Sequence, residues 1–248
     1  MEKSGRFATK LTPIMGVLYI YAIVDQPDGD LPDIRGIGDA AISGLHVGDL
    51  LAIVSTVEGD SVPFSRTNLL CHERVIEALM RGRAVLPTRF GTTTEHAERI
   101  AKALETNGAG FRANLDRVRG RVEIALRVGW KPEADEPITR PRAADVADGR
   151  SYMQALLAQT QRSRQRRDTA EALAAKLTPG LAELADAVVE KILPTPQLLL
   201  KAAYLVRHAH VAEIRRRITA LRTEYPDLAF LATGPWPAYS FVAEGNVA

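Results

Sequence analysis

The spacing of hydrophobic positions changes several times along this chain of 248 residues, and its first two apolar runs predict strands. Residues 17–24 and 50–57 are almost continuously apolar, which is typical of strands that are covered on both faces. The connection between them is rich in Asp, Gly and Pro, and it leaves room for one short extra strand near residues 41–47. These runs predict the centre of a sheet.

Helical spacing then replaces the continuous runs. Apolar side chains at helical intervals predict a helix over residues 67–81. A short strand at residues 84–86 stops at Pro87, which cannot donate to a sheet. A second helix is predicted to begin near Thr94 and to end at the Asn-Gly pair of residues 107–108.

Residues 121–128 alternate between apolar and polar positions, with Arg121, Glu123 and Arg127 on the polar face. This pattern predicts a strand that buries one face and lies near a sheet edge. Together these elements predict a first domain over residues 17–130 with the order β-β-α-β-α-β. This order corresponds to a modified ferredoxin-like α/β sandwich.

A second domain is predicted over residues 149–248, after a linker at 131–148 that contains three prolines among charged residues. It is predicted to begin with a long helix from about residue 150, followed by a segment at 181–192 that fits either a helix or a strand. A strand at 198–206, a basic helix at 210–223 and a strand at 228–233 are predicted after it. The predicted fold class is therefore α+β, with two domains and one long helix in the second.

Composition bounds the class of protein and its compartment. A hydrophobic content of 46% with 25% charged residues is ordinary for a globular protein and excludes wholesale disorder. The single cysteine, Cys71, cannot form an internal disulfide, which favours a reducing cytoplasm. Residues 1–16 read as an N-terminal tail without the apolar core of a signal peptide, and the longest apolar run is too short to cross a bilayer. We expect a cytoplasmic protein without a membrane span.

Charge is segregated along the chain, although the formal net charge is only +2. Residues 25–60 hold eight acids and one base, whereas residues 140–176 hold eight bases and four acids. Four of these bases are bunched together: Arg162, Arg164, Arg166 and Arg167. The favoured interpretation is two solvated faces, and the alternative is complementarity between the domains or toward a charged partner. Nonspecific binding of nucleic acid through the arginine cluster is a third hypothesis, which the small net charge disfavours.

The sequence does not assemble a recognisable active site. A bare Gly-x-Gly at residues 36–38 lacks the third glycine of a dinucleotide fingerprint, and no Walker-type phosphate loop occurs. His208 and His210 have no carboxylate or cysteine at metal-ligand spacing, so a surface pair is favoured. Cys71 and His72 are about 100° apart around a helix and cannot meet as nucleophile and base. We expect no catalytic, cofactor-binding or metal-binding residues.

Residues 233–242, Thr-Gly-Pro-Trp-Pro-Ala-Tyr-Ser-Phe-Val, form the most restricted stretch of the chain, and we call it the hook. Pro235 and Pro237 flank Trp236, and each proline fixes its own φ and lacks a backbone donor. Such a segment neither continues a helix nor lies in the middle of a sheet. We expect a strand that ends in a rigid turn over its own domain and buries the indole.

Three motifs of the chain, in this order, resemble those of the gas vesicle protein F/L family. They are Leu86-Pro87-Thr88-Arg89-Phe90-Gly91, the run Lys201-Ala202-Ala203-Tyr204-Leu205-Val206, and the hook. The resemblance extends from about residue 17 to residue 242, which is nearly the whole chain. Ala238 is one departure, because the family often has a second proline there, and we expect it to loosen the hook slightly.

The resemblance implies a role in assembly. Proteins of this family are accessory components of the gas-filled flotation organelles of prokaryotes, and they associate with a small hydrophobic shell protein and with other accessory proteins. We therefore expect a non-enzymatic gas vesicle protein that binds the shell protein through apolar surface left exposed after folding. No cofactor, nucleic acid or membrane is expected as a partner. The alternative is a small-molecule-binding or catalytic ferredoxin-like enzyme, with Arg89 and His72 lining a cleft between the domains.

The motif positions are interpreted as mainly structural. Phe90 would fill the core, Gly91 would adopt a conformation closed to other residues, and Arg89 would bind a carbonyl or an acid. An anion-binding role for Arg89 is the alternative. The corresponding positions of the hook are Gly234, Pro235, Trp236, Pro237, Tyr239 and Phe241. Because aromatic rings between prolines also form preorganised binding surfaces, partner recognition is the alternative for the hook.

Overall fold

The computed structural model describes residues 16–25, 30–131, 149–193, 195 and 197–242. It divides into two compact units, the first built on the chain up to Arg119 and the second on Gly120–Phe241. Within the described residues there are nine β-strands in two antiparallel sheets and five α-helices, which confirms a mixed α and β class. The predicted tail and linker lie almost entirely outside the described residues.

Most predicted elements are present with small changes in their bounds. The first unit contains the strands β1 (Gly16–Asp25), β2 (Ser43–Val47), β3 (Leu50–Glu58), β4 (Val85–Pro87) and β5 (Thr93–Thr94), and the helices α1 (Arg66–Met80) and α2 (Ala97–Val118). The second unit contains the strands β6 (Arg121–Trp130), β7 (Ala187–Ile192), β8 (Leu198–Arg207) and β9 (Leu228–Trp236), and the helices α3 (Gly149–Leu177), α4 (Pro179–Ala182) and α5 (Val211–Glu224). The ambiguous segment at 181–192 thus contains the end of α4 and all of β7.

The first sheet has the strand order β2-β3-β1-β4, and β5 also pairs with β1. β1 and β3 are antiparallel, with Ile20 opposite Val54. Residues 19–24 are at most 2% exposed, so both faces of β1 are covered, as its continuous apolar run predicted. The extra strand predicted near residues 41–47 is present as β2.

The helix α2 is longer than predicted. The Asn-Gly pair at residues 107–108 was expected to end it, but the helix continues to Val118. Leu104, Phe111 and Leu115 are buried and keep helical spacing on both sides of the pair. A glycine inside a helix costs only about 1 kcal/mol relative to alanine. Burial of the next two apolar turns outweighs this penalty, so the prediction of an early end was wrong.

The strand β6 lies in the second sheet, so its assignment to the first sheet was wrong. The order of the second sheet is β7-β8-β6-β9, so β6 is paired on both sides and lies next to the edge strand β9. Alternating polarity shows that one face of a strand is buried, but it does not identify the neighbouring strands. The first unit has the order β-β-β-α-β-β-α, which replaces the predicted ferredoxin-like order.

Helices cover one face of the second sheet. Ile214 and Ile218 of α5 are buried, as are Ala174 and Leu177 at the end of α3. By contrast, the residues of α3 from 153 to 169 are nearly all exposed. The face of the sheet that carries Val122, Ile124 and Tyr204 is buried, whereas the opposite face exposes Arg127 and Lys201.

The edge strand β9 continues into the hook. It was predicted to end at residue 233, but it extends to Trp236 and includes Gly234 and Pro235, whose peptide bond is cis. Pro235 has no backbone donor, and the edge of a sheet tolerates this loss because one row of donors faces away from the sheet. The turn Tyr239–Phe241 follows and folds back toward the sheet.

Candidate functional site

Phe64 is the most exposed large hydrophobic side chain of the described residues, at 78%. Its ring lies edge-on against Phe90, with centroids 5.8 Å apart and an interplanar angle of 89°. We call these two residues the aromatic pair. Phe90 belongs to the first sequence motif and is half-buried. The two rings together form an apolar surface on the first unit.

A capped helix terminus fixes the backbone around Phe64. Ser65 is the N-cap of α1, and its hydroxyl accepts a hydrogen bond from the Asn68 N–H at 3.1 Å. The side-chain amide of Asn68 donates to the Pro63 carbonyl at 3.0 Å. Because these bonds lie on both sides of Phe64, a stiff turn presents the ring to solvent.

Phe90 is held from its C-terminal side by a tight turn. The N–H of Gly91 donates to the Tyr19 hydroxyl at 3.1 Å, and Gly91 has φ +88°, a value that favours glycine. The backbone N–H and the hydroxyl of Thr92 both donate to the Arg89 carbonyl, at 3.2 and 2.7 Å. We call residues 88–92 the motif loop. The Arg89 side chain is exposed.

The N-terminal side of the motif loop is tied to β1. The hydroxyl of Thr88 donates to the carbonyls of Ile20 and Tyr21, at 2.6 and 3.0 Å. The Thr88 backbone N–H also donates to the Tyr21 carbonyl at 2.9 Å. Both ends of the motif loop are thus bonded to β1, whose residues 19–24 are buried.

A buried aromatic network lies beneath the aromatic pair. His72 is fully buried, and its Nδ1 lies 2.9 Å from the Tyr19 hydroxyl. Its ring packs edge-on against Phe90 and stacks on Tyr21. Burial lowers the pKa of His72 from 6.5 to about 4, although a hydrogen bond with the Thr88 backbone favours the charged form. The His72 ring is therefore neutral near pH 7, and it supports the rings of Phe90 and Tyr21 by packing against them.

Tyr21 extends this network to two further elements. Its hydroxyl lies 2.8 Å from the Ser55 hydroxyl on β3 and accepts a hydrogen bond from the Ile37 N–H, also at 2.8 Å. Burial raises the pKa values of Tyr21 and of Tyr19, so both phenols stay protonated. The network consists of neutral groups that are bonded to one another, and it stiffens the frame around the motif loop.

The enzyme alternative placed Arg89 and His72 along an open cleft. His72 has no exposed surface, so this part of the prediction was wrong. The periodicity of α1 showed that His72 shares the apolar face of the helix, but it did not show that Tyr19 would bond to the ring. A buried, neutral histidine with bonded partners is unsuited to exchange protons with a substrate.

Two acids of the acid-rich segment pair with arginines of the same unit, one in α2 and one directly after it. Arg112 Nε donates to both carboxylate oxygens of Asp49, at 2.8 and 3.0 Å, and Arg119 binds Asp25. The hydrogen bonds from Arg112 lower the pKa of Asp49 to about 2. The side chains of Arg112 and Asp49 are largely exposed, so this pair adds little to stability, whereas the Asp25 side chain is only 23% exposed. Complementarity of the remaining acids to other basic surface stays a prediction.

A buried carboxylate of the second unit anchors the hook. Glu123 on β6 is only 6% exposed, and it accepts hydrogen bonds from the backbone N–H and the hydroxyl of Ser240, both at 2.8 Å. Burial raises the pKa of Glu123, while the hydrogen bonds from Ser240 oppose this rise. Ala238 and Phe241 are buried on either side of the serine. The turn of the hook is thereby fastened to the centre of the sheet.

The start of the hook is sterically restricted. Gly234 has φ +114°, and a Cβ on it would lie 2.6 Å from the Glu123 carbonyl oxygen. The indole Nε1 of Trp236 donates to the Thr233 hydroxyl at 3.1 Å, but the ring is only partly buried. The expected burial of the indole was therefore wrong, because β9 keeps Trp236 at a sheet edge and Pro237 is buried instead.

The second motif forms the middle of β8. Its residues from Ala202 to Val206 are at most 7% exposed, and β8 is paired with both β6 and β7. Lys201, at the start of the motif, is exposed. This motif supplies core packing to the second unit, whereas the first motif shapes the surface around Phe90.

Sequence reasoning did not identify Phe64 or Glu123. Phe64 is an isolated aromatic residue before a helix cap, and such a residue often packs against its own helix. Glu123 lies on the polar face of an alternating strand, which normally faces solvent. The only available signal was the hook itself, because a turn that folds back over the sheet must cover some of its polar positions.

None of the helices in the described part of the chain is both long and apolar enough to cross a membrane. Among the same residues, no three or more His, Cys, Asp or Glu side chains are grouped so that they could hold a metal ion. The buried histidine of the first unit is instead bonded to Tyr19.

Comparisons with known proteins agree with one another. The family model described as gas vesicle synthesis protein GvpL/GvpF matches residues 17–243. Gas vesicle protein L of Streptomyces sp. (strain CB03234) is 30% identical and aligns over 92% of this chain and 94% of its own length. Gas vesicle protein F2 of Halobacterium salinarum is 25% identical over 91% of each chain. The crystal structure of the gas vesicle protein GvpF from Anabaena sp. PCC7120 has a TM-score of 0.72 at 20% identity, covering 92% of this chain and 97% of its own.

Proposed function

This chain belongs to the gas vesicle synthesis protein GvpL/GvpF family, and we propose that it binds the small hydrophobic shell protein through the aromatic pair. Membership of the family assigns the chain a role in gas vesicle assembly. The binding proposal rests on one observation. Phe64 is 78% exposed, while its own backbone and its neighbour Phe90 are both held rigidly.

An exposed aromatic ring on a stiff frame is suited to an apolar partner. Transfer of a Phe side chain from water into apolar surface contributes about 1.5–3 kcal/mol. Because the Ser65 cap and the motif loop fix the two rings before binding, little conformational entropy is lost on association. A very hydrophobic shell subunit offers the complementary surface.

We also propose that the protein acts in the cytoplasm, without catalysis or a cofactor, and contacts other gas vesicle accessory proteins. The neutral, mutually bonded state of His72 and Tyr19 supports a structural role for the one buried histidine of the described residues. The free thiol of Cys71 is compatible with a reducing compartment.

Co-expression with the shell protein tests the binding proposal. We expect Phe64→Ser to reduce capture of the shell protein by the tagged chain about tenfold, which corresponds to the loss of one buried aromatic ring. The matched control is Leu157→Ser, which removes another exposed apolar side chain, on α3, and should leave capture unchanged. Both variants should melt like the parent, because both side chains are exposed.

Equal capture by the parent and by Phe64→Ser would contradict the proposal. A loss confined to Leu157→Ser would also contradict it, since the binding surface would then lie on α3. Unchanged melting temperatures separate either result from a folding defect.

A further inference from the structure

Three cations form a row across the second sheet, on the face opposite the buried side chains of Val122, Ile124 and Tyr204. Lys191 on β7 is paired with Lys201 on β8, and Lys201 is paired with Arg127 on β6. All three side chains are exposed. We call them the cation row. Neighbouring strands are about 5 Å apart, so the row spans about 10 Å.

The cations of this row do not stabilise the fold of the unit through ion pairs. Its members form no ion pair with any residue in the described part of the chain. Near the other end of the same face, the paired Arg121 and Arg207 share Asp186. Like charges directly opposite one another destabilise a sheet unless an opposite charge lies nearby. An anionic partner above the cation row would relieve this repulsion.

A second row of small or apolar side chains runs beside the cation row. Val189, Ala203 and Ala125 are paired across the same three strands, two residues from the cations. Val189 is 45% exposed and Ala125 is half-buried, whereas Ala203 is only 7% exposed, so Val189 offers most of the apolar contact. The two rows line a shallow depression of about 200 Å³, which also includes Glu123 and Ser240 at the hook. We call the second set the apolar row.

A helix laid across the strands fits this surface. Acidic residues four apart on a helix are separated by about 6 Å along its axis, close to the 5 Å spacing of the cations. The two rows are about 7 Å apart, so one helix about 10 Å wide covers both. Carboxylates on one side would face the cation row, and apolar side chains beside them would contact Val189 and the exposed part of Ala125. A phosphate backbone would satisfy the cations but leave Val189 without an apolar contact.

We propose that this face of the second sheet binds an acidic amphipathic helix of a partner protein. The surface shares no residue with the aromatic pair, so the proposal does not depend on binding of the shell protein. Leu231 on β9 is paired with Arg127 and is 54% exposed, and it extends the apolar contact at the edge of the sheet.

A designed peptide tests this proposal on the full chain. The probe is a fluorescein-labelled helical peptide of roughly 18 residues, with Glu at every fourth position, Leu beside the glutamates and Ala elsewhere. Fluorescence polarisation should show binding that weakens with salt, and no binding of the same peptide with Lys in place of Glu. The triple variant Lys191→Gln, Lys201→Gln, Arg127→Gln should bind the acidic peptide at least about tenfold more weakly.

Matched variants distinguish specific binding at the two rows from nonspecific attraction between the peptide and a positively charged protein. Removing the same charge from α3 by Arg164→Gln, Arg166→Gln and Arg167→Gln should leave the affinity unchanged. Val189→Ser should weaken binding several-fold without changing its salt dependence, because it removes apolar contact only. All of these side chains are exposed, so every variant should stay folded. The cation-row variant should melt at or slightly above the parent because it loses the like-charge repulsion, and the other variants should match the parent.

Three results would overturn the proposal. Unchanged affinity in the cation-row variant would show that the row is not the binding surface. An equal loss of affinity in the α3 variant would show that binding depends only on the net charge of the protein. Binding of a short DNA duplex or of anionic vesicles that needs the cation row, with no binding of the acidic peptide, would assign the row to phosphate groups.

Discussion

The motif loop of the first unit and the hook of the second are both turns that fold back onto an interior strand of a sheet. In each, a glycine with positive φ brings the backbone against that strand, Gly91 at Tyr19 and Gly234 at Glu123. Their anchors differ, because a neutral network of rings holds the motif loop and a buried carboxylate holds the hook. The same backbone geometry is thus held by neutral side chains in one unit and by an ionisable carboxylate in the other.

This difference gives the two units opposite responses to pH. The folded first unit disfavours protonation of His72, so acid weakens it. The folded second unit favours protonation of Glu123, because burial raises the pKa of that carboxyl, so acid relieves an unfavourable charge there. Hydrogen exchange of the amides of β1 and of β6 follows the two units separately.

The largest effect is expected at His72. Its pKa is 6.5 in the unfolded chain and about 4 in the folded protein, so the unfolded state binds more protons between these values. One pKa unit corresponds to about 1.4 kcal/mol, and the first unit should therefore lose about 3 kcal/mol of stability as the pH falls through this window. Hydrogen exchange of β1 between about pH 7 and pH 4 measures the loss, after correction for intrinsic exchange rates.

The variant His72→Gln is the control for this prediction, since glutamine does not titrate. Its stability will be lower at neutral pH, but its profile should be flat between pH 6.5 and 4. A profile as steep as that of the parent would show that another group is responsible. Asp49 and Asp186 have lowered pKa values and lose their contributions below their ordinary pKa of 3.8, outside this window.

Alanine at the two glycines separates backbone strain from steric contact. At Gly234 the new Cβ would lie 2.6 Å from a carbonyl oxygen, whereas at Gly91 it would meet nothing within 4 Å. We expect Gly234→Ala to destabilise the second unit by about 3 kcal/mol and Gly91→Ala to destabilise the first by about 1 kcal/mol. Urea unfolding measures both, and equal losses would show that positive φ alone decides the effect.

The smallest effect distinguishes the charge of Glu123 from its hydrogen bonds. Glu123→Ala removes both acceptors for Ser240 and should cost the second unit about 1–2 kcal/mol. Glu123→Gln resembles the protonated acid, so it should stabilise the unit slightly at neutral pH, by less than about 1 kcal/mol, and have no effect in acid. Urea unfolding at both pH values tests this, and a large loss with Gln at neutral pH would contradict the predicted direction.

The sequence predicted the strands best where a pattern has one physical explanation. The run at residues 17–24 is apolar at every position, which requires cover on both faces, and β1 has that cover. The first motif and the hook also supported the correct family, because their prolines and glycines restrict the backbone strongly. These patterns involve residues that are close in the sequence, so they predict local structure without knowledge of the elements that pack against them.

The errors arose where the deciding partner is distant in sequence. The length of α2 depends on burial of Phe111 and Leu115, which outweighs the glycine before them. The sheet that β6 joins depends on β8, about 80 residues later. The environment of Glu123 depends on Ser240, and their separation of 117 residues hides this contact from any local pattern.

The exposed aromatic pair shows the same limit for the candidate site. Phe90 was predicted to be a core residue, and the structure leaves it half-buried with Phe64 against its ring. No periodicity predicts this contact, since Phe64 lies in a turn between elements. The hydrogen bonds of Ser65 and Asn68, which fix the backbone around Phe64, explain why its ring faces solvent.

The outer strands of the second sheet are protected against continued strand addition. Pro235 interrupts the backbone donors of β9, and β7 carries the adjacent charges Glu190 and Lys191. An unprotected strand at the edge of a sheet can pair with strands of other chains. With these edges protected, the second sheet is expected to end with its own four strands, so that contacts with other proteins use side chains rather than backbone pairing.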